Sequence, residues 1–309
     1  MKYIKYGSAA VVTAALLWSL DGLLRRHLYT LPAPVIVFYE HLFGFIILAP
    51  IILATFKAFK KLTRRQWLSI IGVSFLSGAV GTILYTAALG RVNFIPFSVV
   101  VLLQQLNPVF AIAAAAILLK EPLNRRFYSL TALALLGAYL ATFPKLTVNF
   151  STGKGALIAA LMAIGAAAAW GTSTAFSKYS LAGTSSLHVT AARFGITPLF
   201  ALAFVFLSGS SKSLSAISFS QFKYLVAITF STGLVALIIY YFGLKRIPAS
   251  RAAVLELAWP GSAVFVGWIF LHQGLSAVQI IGAVLLVSSI YLMARDAQAL
   301  ASKKQKVKA

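Results

Sequence analysis

Ten apolar blocks divide the chain. They lie at about 7–28, 34–56, 67–89, 96–119, 127–144, 155–180, 187–207, 221–244, 249–271 and 276–294. About 20 apolar residues suffice for a helix to cross the hydrocarbon layer of a bilayer. Charged or turn residues separate the blocks: Pro32 and Pro34, Lys57 to Arg65, Lys120 to Arg126, Lys145 to Lys154, Gly209 to Ser213, and Gln273 with Gly274. The connections are short, which leaves no room for an extramembrane domain. Soluble domains carry about 25% charged residues, whereas this chain of 309 residues has 10% charged and 60% hydrophobic. The prediction is an all-α integral membrane protein with ten transmembrane helices. The first block is too long for a signal peptide and lacks a small-x-small cleavage site, so it is expected to remain as a span.

The 27 Lys and Arg against five acids give a formal charge of +22. In a soluble protein that balance would suggest nucleic acid. Here the basic residues flank apolar blocks, where they orient spans and meet anionic lipid. With the N-terminus inside, nineteen of the 27 fall in cytoplasmic segments, from Lys2 and Lys5 to Lys306 and Lys308. Both termini are therefore expected on the cytoplasmic side. The basic tail at 298–309 is expected to be solvated, with no fold of its own. With no cysteine, the chain has no disulfide and no thiolate metal site.

The chain also repeats itself. Residues 96–140 shifted by 152 fall without a gap on 248–292, pairing Pro96 with Pro248, Ser98 with Ser250, Pro108 with Pro260 and Tyr139 with Tyr291. Trp18 and Trp170 share the offset of 152, as do His41 and Arg193; around Tyr85 and Tyr240 it becomes 155. The expected division is a first five-helix repeat at 1–150 and a second at 151–297. Five is odd, so the second repeat enters the membrane from the opposite side. Inverted repeats place the binding site of a secondary transporter near the midplane between the halves.

This organisation resembles the drug/metabolite transporter superfamily, in its EamA-type branch. The motif residues are Leu106, Pro108, Val109 and Phe110 through Leu119 and Glu121, then Gly137 and Tyr139; the second copy keeps Pro260, Val264, Leu275 and Tyr291. It departs from the first at Gln273 and Gly274, which replace Glu121 and Pro122. Within the branch, the aromatic-rich chain is similar to bacterial aromatic amino-acid exporters of the YddG type. The resemblance implies a carrier of small metabolites in the bacterial cytoplasmic membrane.

Several residues are candidates for that work. A helix proline gives no N–H and crowds the carbonyl four residues back. Pro108 and Pro260 therefore predict matched kinks and hinges, with loosened carbonyls on Gln104 and Glu256. Intramembrane polar groups tend to face a bundle interior, which makes Gln104 and Glu256 substrate-binding candidates. Gln105 and Asn107 read first as interhelical contacts. Trp18 and Trp170 fall in mid-span, lining a cavity or packing on small residues. Tyr85, Tyr240 and Trp259 complete the expected aromatic walls. Asp21 and Arg25, four apart on one helix, are expected to pair. Arg193 either binds a carboxylate or neutralises Glu40.

No GxxxxGK[ST] loop is present to bind ATP, the four histidines are scattered, and no catalytic constellation can be assembled. No enzyme activity, metal, cofactor or nucleic-acid partner is expected. The expected function is alternating-access export of amino acids, aromatic ones included, without obligatory ion coupling. The alternatives are a proton-coupled exporter of cationic drugs using Glu256 or Glu40, and an intramembrane enzyme. Oligomeric state is left open, and a monomer is compatible with the sequence.

Overall fold

In a computed structural model, residues 2–93, 99–143, 145–148, 155–271 and 274–306 are described. All regular structure among them is helical. The main elements are α1 (Lys2–Trp18), α2 (Ala33–Ala54), α3 (Arg64–Arg91), α4 (Val99–Gln104), α5 (Asn107–Leu118) and α6 (Arg125–Thr142). The second set is α7 (Ala156–Ser180), α8 (Ser186–Leu207), α9 (Phe219–Leu244), α10 (Ala249–Leu255), α11 (Ala258–Leu271) and α12 (Ala277–Lys306). Among the described residues, eight stretches are long and apolar enough to cross a bilayer. The expected spans at 127–144 and 249–271 are not among the eight, although helix occupies Arg125–Thr142 in the first and Ala249–Leu255 and Ala258–Leu271 in the second. Pro96, Ser98 and Gln273 lie outside the described residues.

The helix pairings exchange with one another when the two sets are swapped. Helix α1 packs on α9, and its counterpart α7 packs on α3; α1 meets α11, and α7 meets α5. The pairs α2–α8 and α6–α12 each join an element to its own counterpart. Local sequence explains much of this correspondence. Thr63 with Gln66 and Ser218 with Gln221 form capping boxes that start α3 and α9 at positions 155 apart. Each box satisfies backbone N–H groups that a helix start leaves unpaired. Both helices then widen into π-helical turns, at Ser74–Gly81 and Thr229–Gly233, again 155 apart at their first residues.

Small side chains let the helices approach. On α7, Ala159, Ala163, Ala166, Ala167 and Gly171 are buried; a Cβ on Gly171 would sit 2.6 Å from the Asn107 carbonyl oxygen. Gly137 plays the same part between α6 and α12, where a Cβ would sit 2.6 Å from the Leu286 nitrogen. Close backbone approach of this kind replaces the hydrophobic drive that helices lack inside lipid. The outer surface is apolar: Leu53, Ile117, Leu157 and Leu207 are each more than 70% exposed. Exposed apolar area of that extent belongs against acyl chains.

Two expectations need correction. The stretch expected to be a tail without fold is helical as far as Lys306, because α12 runs on past Asp296, which Arg126 of α6 meets at 3.0 Å. Pro108 and Pro260 do not kink continuous helices. Each sits in the first turn of a new helix, after breaks between Gln104 and Asn107 and between Leu255 and Ala258. A first-turn proline loses no hydrogen bond, since that N–H has no helical partner anyway. The Glu256 carbonyl is not loose either; it accepts from the Trp259 N–H at 2.9 Å.

Candidate functional site

The two breaks face each other across α5, α10 and α11, and a cavity opens beside them. All nine residues singled out from the sequence line it: Trp18, Tyr85, Gln104, Trp170, Tyr240, Glu256 and Trp259, with Pro108 and Pro260. Its remaining wall includes Asp21, Arg25, Glu40, His41, Ser77, Asn107, Ser173, Thr174, Arg193, Thr232 and Leu257.

The aromatic wall keeps the internal symmetry. Trp18 of α1 meets Tyr240 of α9 with ring centroids 5.2 Å apart and planes at 53°. Their counterparts, Trp170 of α7 and Tyr85 of α3, meet at 5.1 Å and 54°. Trp259 lies edge-on to Tyr85 at 6.4 Å. Two of the three indole N–H groups bond backbone: Trp170 donates to the Ser77 carbonyl, and Trp259 to the Trp18 carbonyl, both at 3.1 Å. Ser77 lies inside the first π-helical turn, whose wide winding leaves carbonyls accessible to side chains. Trp18 and Trp170 thus line the cavity and pack at once.

The polar wall breaks the symmetry. Tyr240 donates to Glu256 Oε1 at 2.6 Å, and Asn107 Nδ2 donates to Glu256 Oε2 at 3.3 Å. At the matching position of the first repeat stands Gln104, 3% exposed, whose Oε1 has no partner among the described residues. Gln105 also lines the cavity and donates to Thr142 of α6 at 2.9 Å, the interhelical role its sequence context suggested.

The charged side of the cavity went beyond the sequence expectation. Arg25 binds Asp21 as expected, at 2.7 Å through Nε, but its Nη2 also binds Glu40 of α2 at 3.1 Å. Thr232 of α9 donates to Asp21 Oδ1 at 2.8 Å. Arg25 and Glu40 are 3% and 6% exposed, so a three-charge network lies largely buried between α2, α9 and the short helix Asp21–Arg25 that follows α1. Arg193 does not neutralise Glu40 by contact. It donates to the Tyr241 hydroxyl at 2.9 Å and to Ser77 Oγ at 2.8 Å, bridging α8 to α9 and α3. Glu40 in the middle of an apolar block was a visible signal; its partner on another helix was not.

The opposite end of the bundle is tied by backbone contacts. Lys178 of α7 donates to the carbonyls of Leu244, Lys245 and Ile247 at 2.7, 3.0 and 2.7 Å. Glu121 accepts from the Ala249 and Ser250 N–H groups at 2.7 and 3.0 Å, capping α10, and from Ser250 Oγ at 2.6 Å. The Lys178 contacts stay within the second half, whereas Glu121 on Ala249 and Ser250, and Thr232 on Asp21, each join the two halves.

Comparison with known proteins matches this architecture to a family. The EamA-like transporter family profile matches twice, over residues 5–143 and 157–295. The chain is 35% identical over 287 residues to the riboflavin transporter ImpX of Fusobacterium nucleatum, covering 92% of this chain and 96% of that protein. It is 25% identical over 185 residues to the uncharacterized transporter YoaV of Bacillus subtilis, covering 60% and 62% respectively. A solved crystal structure superposes with a TM-score of 0.73 at 19% identity, covering 94% of this chain and 98% of its own. At that identity the superposition speaks for the fold alone. The two profile matches span nearly the whole chain, and on them the protein is a membrane transporter of the EamA-like transporter family.

Proposed function

We propose that this protein is a secondary transporter of a flat heteroaromatic metabolite, riboflavin in the first place. The observation that carries the reading is the chamber wall: two symmetry-related Trp–Tyr pairs and Trp259 around buried amide and carboxyl groups. Aromatic pairs favour offset or edge-on contact, and a tricyclic ring system offers both a face and an edge. Burying its faces against these walls contributes roughly 25 cal/mol per Å² of apolar surface. The transporter from Fusobacterium nucleatum that is 35% identical is named for riboflavin, which agrees in chemistry.

A second reading, amino acids including aromatic ones, draws on one observation. Arg193 lines the cavity, and its Nε has no partner among the described residues, so a substrate carboxylate has a donor to meet. The arrangement proposed for either substrate is ten crossings as two inverted five-helix repeats, 1–150 and 151–297. Both termini face the cytoplasm of a bacterial cell, across its cytoplasmic membrane. The halves rock about the cavity, with Pro108 and Pro260 at the hinges. The Arg25 network and the Lys178–Glu121 contacts open in alternation. Glu256 is the one acid beside the helix breaks and is already held by Tyr240 and Asn107, which favours transport without an obligatory proton.

Counterflow of labelled riboflavin in proteoliposomes, with and without a pH gradient, tests this. Exchange in both conditions is expected. Tyrosine or phenylalanine exchange with no riboflavin exchange overturns the first reading in favour of the second. Gradient-driven accumulation lost in Glu256→Gln overturns the uncoupled mechanism.

A further inference from the structure

Two carbonyl oxygens in the chamber wall are buried with no hydrogen-bond partner among the described residues: Gln104 Oε1 and Asn107 Oδ1. They flank one helix break, since α4 ends on Gln104 and α5 begins on Asn107. A buried acceptor left without a donor is costly, and groups in that condition call for an explanation.

The other repeat supplies the contrast. At position 256, the counterpart of 104, both carboxylate oxygens accept from protein, one from Tyr240 and one from Asn107. Tyr85, the counterpart of Tyr240, makes no such bond to Gln104; its contacts are with the rings of Trp170 and Trp259. The Asn107 amide has its orientation fixed by the same pairing. Its Nδ2 donates to the Glu256 carboxylate, and a flipped amide would set oxygen against oxygen. Asn107 Oδ1 is therefore an acceptor turned to no group among the described residues. Gln104 offers an acceptor and an N–H donor on one planar amide. Such an amide pairs by two parallel hydrogen bonds with any group that carries an N–H beside a C=O. The isoalloxazine ring of riboflavin has that edge, an imide N3–H between the C2 and C4 carbonyls. The side chain of phenylalanine has none.

We infer that Gln104, with Asn107 beside it, reads the imide edge of a ring held between the two Trp–Tyr pairs, and so sets the specificity of the cavity. The inference rests on the riboflavin reading above. A carboxamide at this position selects among flat rings by their hydrogen-bonding edge, where the aromatic walls select only for shape.

The test compares riboflavin with N3-methylriboflavin, which keeps the ring and the ribityl chain but lacks the imide proton. Binding to the purified protein is read from quenching of flavin fluorescence. The wild-type protein is expected to bind the methylated compound about tenfold more weakly, the order for a donor withdrawn from a buried acceptor. In Gln104→Ala the penalty is expected to shrink to within about twofold, because the acceptor is gone with the donor. Equal binding of the two flavins by the wild-type protein overturns the inference and leaves the riboflavin reading standing. Binding of neither flavin overturns that reading and the inference with it. An undiminished tenfold penalty in Gln104→Ala places recognition of the edge elsewhere and also overturns it. If Gln104→Ala does not fold, Gln104→Leu, closer in volume, carries the same comparison.

Discussion

The two halves of the molecule meet the cavity with the same aromatic groups and different polar ones. Trp18 on Tyr240 and Trp170 on Tyr85 agree to within 0.1 Å and 1° in separation and tilt, from 5.2 and 5.1 Å and 53° and 54°. Around them the correspondence fails. Asp21, Arg25 and Glu40 of the first half fall opposite Ser173, Ser177 and Ala192 of the second, and Gln104 falls opposite Glu256. Shape is duplicated because helix packing repeats with the sequence. Polarity is not, because the side chains at matched positions differ in kind and so find different partners. The comparison teaches that a repeat can keep its ring packing while the polar contacts around those rings diverge.

The largest expected effect breaks the charged side. Arg25→Met strands Asp21 and Glu40 and is expected to cost about 3–5 kcal/mol, the range for removing one partner of a buried ion pair. The matched change Ser177→Ala removes only a hydroxyl contact to Tyr241 and should cost about 1 kcal/mol. Unfolding of the detergent-solubilised variants measures both. Equal losses would mean that the charge network contributes nothing beyond packing.

Next comes the paired contact of α6 with α12. Gly137→Ala drives a Cβ toward the Leu286 backbone and is expected to destabilise by about 1–3 kcal/mol through overpacking. Its counterpart Ser289 already carries a Cβ and bonds only the Leu285 carbonyl within its own helix. Ser289→Ala, which loses only that one bond, should cost no more than about 1 kcal/mol. Thermal unfolding of the two variants side by side decides whether the close approach is one-sided.

The tyrosines sharpen the polar asymmetry. Tyr240→Phe removes a hydrogen bond to Glu256 and is expected to weaken riboflavin binding about tenfold. Tyr85→Phe keeps both ring contacts and should change binding by less than about twofold. Quenching titrations read the ratio. An equal loss in both variants would show that hydroxyl chemistry is as symmetric as the rings.

The smallest expected effect concerns the breaks. The double variant Pro108→Ala, Pro260→Ala allows α4 to join α5 and α10 to join α11. It is expected to fold normally and to slow exchange in proteoliposomes by about threefold, since a proline in a first turn acts on helix geometry more than on stability. Unchanged exchange would make the repeated breaks features of packing alone.

Much of this was already written in the sequence. Apolar blocks of bilayer length force helices, whatever the partners, because lipid offers no hydrogen bonds to an unpaired backbone. The offset of 152 to 155 placed Trp18 with Trp170 and Tyr85 with Tyr240, and it marked positions 104 and 256 as polar at one depth. All nine singled-out residues line one cavity, and the offsets marked the matched pairs among them.

Tertiary structure alone decided which polar groups find one another. Arg25 and Asp21 are four apart on one helical segment and legible as a pair, yet Glu40 joins them from another helix. Arg193 lines the same cavity as Glu40 and binds Tyr241 and Ser77 instead. The two prolines were legible as disruptions, but whether each bends a helix or starts a new one depended on the packing of α5 and α11. Periodicity fixes the face on which a side chain stands, because it is a property of one helix. A hydrogen bond between helices needs their separation and rotation within a few tenths of an ångström, and those are set by every contact in the bundle together.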